Sequence, residues 1–326
     1  MATPLAAQDG PGLVGGAAAQ NGGSSVPMAT RGSFKSAVEL VTLNVTVTDG
    51  RSHHVAGLNQ NDFQVLEDGV PQDVTFFAAG ELPLDVALLV DTSSSMRDKM
   101  DLVQEAAEGF VRTLRPGDRG SVVEFNERVH VLQGFTGDKA LLASAVRRTS
   151  AHGSTALYGA IYVTLDQFVR SGPTSGEIRR PAIVVLTDGE DTASLIQFDD
   201  LLDRARRSGV AIYTIAAISP YEAKKLGIDK DHRFYSQSDY ALKTLAQETG
   251  ARSFFPLELA ELNGVYQAVA DELTAQYALG YTPKAPGTDG TYHRLLVKVL
   301  TRPEARSRTR TGYYSAGPAH ASLLAR

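Results

Sequence analysis

The sequence predicts an α/β fold with a doubly wound, mostly parallel, Rossmann-like sheet and an accessory β-sandwich formed by the N- and C-terminal flanks. Three observations lead to this prediction. Continuous apolar runs such as 84–90 and 182–186 are typical of strands buried on both faces of a parallel sheet. Segments with helical spacing alternate with these runs. In both flanks, apolar and polar residues alternate as they do in half-buried strands.

The first flank, residues 34–80, contains only predicted strands. Apolar and polar residues alternate between Val38 and Thr48, which indicates a strand with one buried face. Asp68-Gly69 is a typical hairpin turn, and Val74–Phe77 is expected to return along the strand that precedes it. A block of about 45 residues is too small to be stable alone. We therefore expect this flank to pair with strands of the C-terminal flank.

Residues 82–276 carry the alternation of strands and helices, and we expect them to form the α/β domain. The predicted strands are 84–90, 121–125, 129–132, 182–186, 210–216 and 253–255. The predicted helices are 99–114, 138–147, 156–169, 198–207, 239–248 and 257–275. Gly or Pro follows several of the helices, as is usual where a helix ends. Helices of this length between strands predict a parallel sheet that is covered on both faces.

The C-terminal flank, residues 277–315, returns to predicted strands at 277–281, 292–300 and 307–314. At the two ends, residues 1–33 predict a disordered leader and residues 316–326 a flexible tail. Within the leader, Pro4 to Gln8 is similar to the cleavage end of a secretory signal, but the preceding basic and apolar regions are missing. Either an ordinary flexible tail or a chain that starts downstream of the true start explains this segment.

Composition limits the classes of function. The 326-residue chain has a net charge of −5, so charge gives no reason to expect a nucleic-acid partner. Four arginines between Arg302 and Arg310 form a basic stripe, which we interpret as a solvated strand face. The chain has no cysteine, which excludes disulfides and thiolate metal sites. No apolar run approaches the roughly 20 residues of a transmembrane helix.

Oxygen-bearing side chains follow the predicted strand 84–90. Asp91, Ser93 and Ser95 alternate along the turn, which places one carboxylate and two hydroxyls on the same side. Such a set of oxygens suits a hard divalent cation. By itself, however, the pattern favours a turn or a helix cap, because Asp and Ser both bond to nearby backbone amides.

Two further segments bring oxygens to the same edge of the predicted sheet. Asp188 follows the strand 182–186 within the run Thr187-Asp188-Gly189, and Thr155 lies where the helix 156–169 begins. In a parallel α/β sheet, the loops at the carboxyl ends of the strands bind ligands. The three segments together therefore predict a metal site.

At these residues the chain closely resembles the von Willebrand factor type A family and its metal-ion-dependent adhesion site. That site combines Asp-x-Ser-x-Ser with a distant Thr and a distant Thr-Asp-Gly. The five matching positions, in the family's order, are Asp91, Ser93, Ser95, Thr155 and Asp188. The resemblance covers about residues 82–276. It implies that these side chains hold Mg²⁺, with Mn²⁺ or Ca²⁺ as substitutes.

The resemblance also implies a function. It indicates a divalent-metal-dependent protein-binding module for adhesion or assembly, not an enzyme, in which a Glu or Asp carboxylate of a protein partner completes the metal site. In the family, binding can be coupled to movement of the last helix, here 257–275. The run Leu58–Gly69 and the closing Gly312-Tyr313-Tyr314 resemble a bacterial, acidobacterial-type subfamily that is usually exported. The expected location is therefore extracytoplasmic, either periplasmic or secreted.

Alternative explanations stay open. A metal with hydroxyl ligands can activate water, so the alternative is a metal-dependent hydrolase or a regulatory subunit of a larger enzyme. Against it, the sequence has no phosphate loop, no nucleophile elbow and no clear general base. We interpret Asp98, Glu190 and Asp191 as solvated or supporting residues, His53-His54 as an exposed pair, and His152 as a loop residue.

Overall fold

The computed structural model describes residues 40–80, 82–170, 177–188, 190–217, 236–285 and 290–315. The predicted leader 1–33 with its signal-like segment, Gly189 of the Thr-Asp-Gly run, and the predicted tail 316–326 lie outside these residues. All strands and helices below are numbered along the described part of the chain.

The strands are β1 (Val41–Thr48), β2 (Phe63–Glu67), β3 (Val70–Gln72), β4 (Val74–Ala79), β5 (Leu84–Asp91), β6 (Arg119–Phe125), β7 (Val129–Thr136), β8 (Arg180–Thr187), β9 (Ala211–Ala216), β10 (Ser253–Phe254), β11 (Tyr277–Tyr281), β12 (Tyr292–Val299), β13 (Arg306–Arg308) and β14 (Gly312–Tyr314). The helices are α1 (Met100–Thr113), α2 (Lys139–Arg147), α3 (Leu157–Arg170), α4 (Phe198–Ser208), α5 (Gln237–Glu248) and α6 (Leu262–Ala275). Short 3₁₀ segments at Gln60–Asp62, Ser94–Lys99 and Leu259–Glu261 lead into β2, α1 and α6.

The central sheet has the order β10-β9-β8-β5-β6-β7. Its neighbouring strands are parallel except for β6 and β7, which form an antiparallel pair at one edge. All eight residues of β5 are buried. Because strand side chains alternate, Val86, Leu88 and Val90 pack on one face, and Ala87 and Leu89 on the other. This two-sided burial explains the continuous apolar run, and the predicted mostly parallel sheet is confirmed.

Helices cover both faces of the central sheet. One apolar core contains residues of α1, α2 and α6, and the core on the opposite face contains residues of α3, α4 and α5. Helix α1 presents Val103, Ala106 and Phe110 to the first core at intervals of three and four residues. Helix α4 ends at Gly209, whose φ of 68° is the left-handed conformation that favours glycine at a helix end.

Two antiparallel four-stranded sheets form the accessory β-sandwich, with orders β13-β1-β11-β4 and β14-β12-β2-β3. Each combines strands from both flanks of the chain: β1 pairs with β11, and β2 pairs with β12. A single apolar core lies between them. Inside this core, Tyr281 and Tyr313 come from different sheets and donate hydrogen bonds to the same buried Glu67 carboxylate oxygen, at 2.6 and 3.2 Å. The predicted sandwich is thus confirmed, whereas the domain boundaries at 34–80, 82–276 and 277–315 stay a prediction.

Three details differ from the sequence-based expectations. The predicted strand 307–314 is two strands in different sheets, because β13 pairs with β1 while β14 pairs with β12. The segment Val74–Phe77 does not return along the hairpin; as part of β4 it pairs with β11 in the other sheet. The last helix begins at Leu262 instead of residue 257, after a 3₁₀ segment. In the first two cases, pairing with a distant segment overrides the local pattern.

Buried polar side chains connect the α/β domain to the sandwich. The carboxylate of Glu272 in α6 accepts a hydrogen bond from the Tyr213 hydroxyl of β9 at 2.7 Å, and it pairs with the guanidinium of Arg308 in β13 at 2.6 Å. The side-chain amide of Gln276 donates to the same Tyr213 hydroxyl at 3.0 Å. Since Glu272 is almost fully buried, its negative charge depends on these partners.

Candidate metal centre

Asp91 is the last residue of β5 and is fully buried. Its Oδ1 accepts a hydrogen bond from the Ser93 backbone N–H at 2.8 Å, and its Oδ2 accepts one from the Thr187 hydroxyl at 2.6 Å. Burial raises the pKa of Asp91 above its ordinary value; these hydrogen bonds offset part of that shift, and the nearby charge of Asp188 adds to it. Within the described residues, no basic side chain contacts this carboxylate. A bound cation would therefore stabilise it.

Serine hydroxyls connect this turn to the end of the neighbouring strand. The Oγ atoms of Ser93 and Ser95 lie 3.0 Å apart, and Ser95 Oγ donates to Asp188 Oδ1 at 2.9 Å. Strands β5 and β8 are parallel neighbours in which Val90 lies opposite Leu186. Both strands therefore end at the same edge of the sheet, and this register brings Asp188 to the serines.

The loop that carries Thr155 is held against the same turn by backbone hydrogen bonds. The N–H of Ser94 donates to the Gly153 carbonyl at 3.0 Å, and the N–H of His152 donates to the Thr92 carbonyl at 2.7 Å. Thr155 itself is buried. Its hydroxyl makes no hydrogen bond to any described residue, and so remains available as a ligand.

Lys99 enters the site although it is not among the predicted ligands. It is the last residue of the 3₁₀ segment before α1, and its side chain is 7% exposed. Its ammonium contacts Asp188 Oδ2, while Ser95 occupies Oδ1. The sequence carries a signal for this burial. Lys99 lies four, seven and eleven residues before Val103, Ala106 and Phe110, so it falls on the buried face of α1.

Two further residues, Thr192 and Asp191, support the loops. Thr192 Oγ1 accepts a hydrogen bond from the Thr155 N–H at 3.1 Å, and the Thr192 N–H donates to the Thr155 carbonyl at 2.8 Å. Asp191 accepts hydrogen bonds from the Tyr158 N–H at 3.1 Å and the Ser194 hydroxyl at 2.6 Å. Asp191 thereby caps the first turn of α3, which agrees with its interpretation as a supporting residue.

Two histidines outside the candidate site, His152 and His53, have local partners. His152 places its Nδ1 2.9 Å from the Ser150 carbonyl and its Nε2 3.2 Å from the Asn126 amide nitrogen, so it braces its own loop. His53 is exposed and lies beside Asp49, with Nδ1 3.3 Å from Oδ2. Within the described residues, neither imidazole ring forms a hydrogen bond with a predicted ligand.

A second group of metal-ligand types lies in the sandwich. The Nδ1 of His293 is 2.8 Å from Asp68 Oδ2 and 3.6 Å from Glu67 Oε1. These groups already have partners: Asp68 Oδ1 accepts from the Arg294 N–H at 2.8 Å, and Glu67 holds the two tyrosine hydroxyls of the core. We interpret the group as a hydrogen-bonded network that joins the hairpin turn to β12.

The donor set at the sheet edge fits a hard divalent cation. Two carboxylates and three hydroxyls supply only oxygen, with no sulfur or imidazole. Two observations support this fit: the fully buried Asp91 carboxylate contacts no basic side chain in the described part of the chain, and the Thr155 hydroxyl is available. Such an arrangement can hold a cation at a protein surface loop and leave it positive enough to attract an external anion.

Comparisons with known proteins identify related chains. The family model described as von Willebrand factor type A domain matches residues 85–262, which is more than half of the chain. A UPF0353 protein of Mycobacterium marinum is 28% identical over 202 residues, covering 58% of this chain and 60% of that protein. A UPF0353 protein of Mycobacterium leprae is 28% identical over 229 residues, covering 66% of each. The chain thus spans about 60% of the length of the first of these relatives.

Some solved structures are also similar to this chain. The von Willebrand factor domain of the type V pili tip protein Mfa5 from Porphyromonas gingivalis has a TM-score of 0.45 and 14% identity, covering 58% of this chain and 94% of that chain. A von Willebrand factor type A protein from Catenulispora acidiphila has a TM-score of 0.46 and 14% identity, covering 90% of this chain and 78% of that chain.

Proposed function

Because the chain belongs to the von Willebrand factor type A domain family, we propose that it is a divalent-metal-dependent protein-binding module that serves adhesion or assembly. Domains of this family typically take part in protein–protein interaction and commonly bind a divalent metal. The partner in this proposal is a protein that offers a Glu or Asp carboxylate.

One observation carries the proposal. Hydrogen bonds join Asp91, Ser93, Ser95 and Asp188 across the ends of two parallel strands, and the loop of Thr155 is bonded to the same turn. A structural turn or cap alone would not need a fully buried carboxylate that contacts no basic side chain within the described residues, because burying such a charge is costly. The arrangement therefore favours a cation site over a helix cap.

Each residue has a distinct role in the proposed site. Ser93, Ser95 and Thr155 supply neutral oxygens, while Asp91 and Asp188 supply the negative charge that balances the ion. A bound Mg²⁺, or Mn²⁺ or Ca²⁺ in its place, supplies a positive charge that attracts the partner's carboxylate. The backbone bonds between the loops hold the oxygens in place before the ion binds, which reduces the entropy lost on binding.

We propose a non-catalytic role because neither buried carboxylate is suited to activate water. Both oxygens of Asp91 accept hydrogen bonds, and both oxygens of Asp188 contact Ser95 or Lys99. A general base needs an oxygen within reach of the proton that it removes. Turnover of p-nitrophenyl acetate or p-nitrophenyl phosphate that depends on Mg²⁺ and is lost in Asp91→Ala would instead support the hydrolase alternative.

The proposed location is extracytoplasmic, either periplasmic or secreted. This proposal is supported by the likeness of the flanking motifs to an exported bacterial subfamily. None of the helices within the described ranges combines the length and apolar character required to cross a bilayer.

A metal titration tests the proposed site. Calorimetry with Mg²⁺ and Mn²⁺ is expected to detect one site in the wild-type chain and none in Asp91→Ala. Asp98→Ala is the matched control, because it removes the same charge from an exposed residue seven positions later. If Asp91→Ala binds the ion as tightly as Asp98→Ala does, the predicted ligand set is wrong.

A selection of displayed peptides tests the partner. Peptides retained on the immobilised chain in Mg²⁺ and released by EDTA are expected to share an Asp or Glu, and the matched Asn or Gln peptides to bind at least tenfold more weakly. Chelation is expected to raise the dissociation constant of the carboxylate peptides at least tenfold. An affinity that does not change in EDTA would overturn the proposed mechanism.

A further inference from the structure

A buried ammonium group, that of Lys99, contacts one of the five proposed ligands, Asp188. The side chain of Lys99 is 7% exposed, and that of its partner Asp188 is 1% exposed. Lysine is rarely buried to this extent without a partner, because removing its charge from water is costly. The side chain of Lys99 is buried just before α1, and its charged end contacts Asp188 of the proposed metal site.

The charge of Lys99 changes the electrostatics of the site. With Asp91 and Asp188 ionised, the five ligands carry two negative charges, and the ammonium reduces the total to one negative charge. A divalent cation then leaves the whole group with one positive charge. Without the lysine, the same ion would be balanced by the two carboxylates, and the group would carry no net charge.

We propose that Lys99 sets the balance between ion affinity and partner affinity at this site: it weakens binding of the divalent ion and strengthens binding of the partner's carboxylate. This inference rests on the proposed function. The ammonium competes with the ion for Asp188, which explains the weaker ion binding. The positive charge that it leaves in the ion-loaded site attracts one external carboxylate, which explains the stronger partner binding.

The geometry supports competition rather than a purely structural role. Lys99 contacts Oδ2 of Asp188, and Ser95 donates to Oδ1. The ammonium therefore contacts the carboxylate that is predicted to balance the ion, not a residue remote from the ligands. Lys99 is thus a positioning residue that acts through Asp188.

Binding of Mn²⁺, measured by calorimetry and by electron paramagnetic resonance, tests the first half of the proposal. Lys99→Met keeps the length of the buried stem and removes the charge, so it is expected to bind Mn²⁺ at least tenfold more tightly than wild type. Lys99→Arg keeps the charge and is expected to stay within about threefold of wild type. Lys298→Met is the matched control, since it removes an exposed lysine of β12, and is expected to leave the affinity unchanged.

Acetate tests the second half as a minimal carboxylate. With each protein saturated with Mn²⁺, acetate is expected to bind at least threefold more weakly to Lys99→Met than to wild type or Lys298→Met. If Lys99→Met is too unstable for calorimetry, Lys99→Gln takes its place. The increase in melting temperature on addition of Mn²⁺ is then expected to exceed that of wild type.

The outcomes separate this inference from the proposed function. If wild type binds Mn²⁺, Asp91→Ala does not, and Lys99→Met matches wild type for both Mn²⁺ and acetate, the function stands and the role of Lys99 is wrong. If neither wild type nor Lys99→Met binds Mn²⁺, both proposals fall. If only Lys99→Met binds it, the competition by the ammonium is supported, but the proposed function of the wild-type chain is overturned.

Discussion

Removal of the Arg308 guanidinium is expected to destabilise the folded protein markedly. Arg308 pairs with Glu272, whose side chain is 2% exposed, whereas Arg308 is itself 29% exposed. Breaking a buried ion pair by removing one partner typically costs about 3–5 kcal/mol, because the remaining charge stays buried. The Tyr213 hydroxyl still donates to Glu272 after the substitution. We therefore expect Arg308→Met to lower the free energy of unfolding by about 3 kcal/mol, the lower end of that range.

Equilibrium unfolding in urea measures this effect, and Arg306→Met provides the matched control. Arg306 lies in the same strand, two residues earlier, but is exposed. Its substitution is expected to change the free energy of unfolding by less than about 0.5 kcal/mol, as is usual for surface positions. If the two variants have equal stability within that margin, the buried pair does not contribute as argued.

A double variant distinguishes an unpaired charge from a simple loss of packing. In Arg308→Met/Glu272→Gln, the buried carboxylate is replaced by a neutral amide of the same shape, which can still accept the hydrogen bond from Tyr213. At least half of the stability lost in Arg308→Met is expected to return. A double variant that is less stable than Arg308→Met would refute the electrostatic explanation.

Three further predictions concern the candidate metal centre. In EDTA, Asp91→Asn is expected to be more stable than wild type, by a margin that grows between pH 4 and pH 7. The folded-state pKa of Asp91 is raised, so the wild-type chain loses stability as the pH rises above the ordinary pKa of an aspartate. Equal urea midpoints of the two proteins at pH 7 would contradict this. Gly153→Ala and Gly117→Ala are expected to lose stability in urea to within about 0.5 kcal/mol of each other, because both glycines have positive φ and the Glu127 carboxylate that a Cβ at Gly153 would meet is the end of an exposed side chain that can move away. A much larger loss in Gly153→Ala would show that Glu127 cannot move. Thr155→Ala is expected to weaken Mn²⁺ binding at least tenfold in calorimetry while its stability in EDTA stays unchanged. Thr155→Ser keeps the hydroxyl and is expected to retain the binding. A Thr155→Ala variant that binds Mn²⁺ as wild type does would remove Thr155 from the ligand set.

The five candidate ligands could be predicted from sequence because each has a short-range signal. Asp91 and Asp188 directly follow apolar runs long enough to identify buried strands, and the ends of parallel strands meet at one edge of a sheet. Their proximity needs only the strand order β5 next to β8. Thr155 has a weaker signal, since only its position at the start of a helix indicates the same edge.

Local sequence patterns do not reveal residues whose role depends on distant partners. The basic stripe between Arg302 and Arg310 predicts a solvated strand face, which is wrong for Arg308 because it pairs with a buried carboxylate of α6. Thr187 is identifiable in the sequence only as part of a motif, although its hydroxyl donates to Asp91. Lys99 carried a signal in its helical spacing, yet spacing alone does not show which carboxylate a buried lysine meets.

Local sequence patterns are enough to predict the α/β class with its accessory sandwich, most of the strands and helices, and the oxygens at the ends of β5 and β8. Hydrophobic periodicity and turn residues are local, so a single chain of letters contains them. Three features depend on the tertiary structure: β13 and β14 belong to different sheets, Glu272 contacts Arg308, and Lys99 contacts Asp188. These are contacts between residues far apart in the chain, and their geometry follows from how the two cores pack, not from any local pattern.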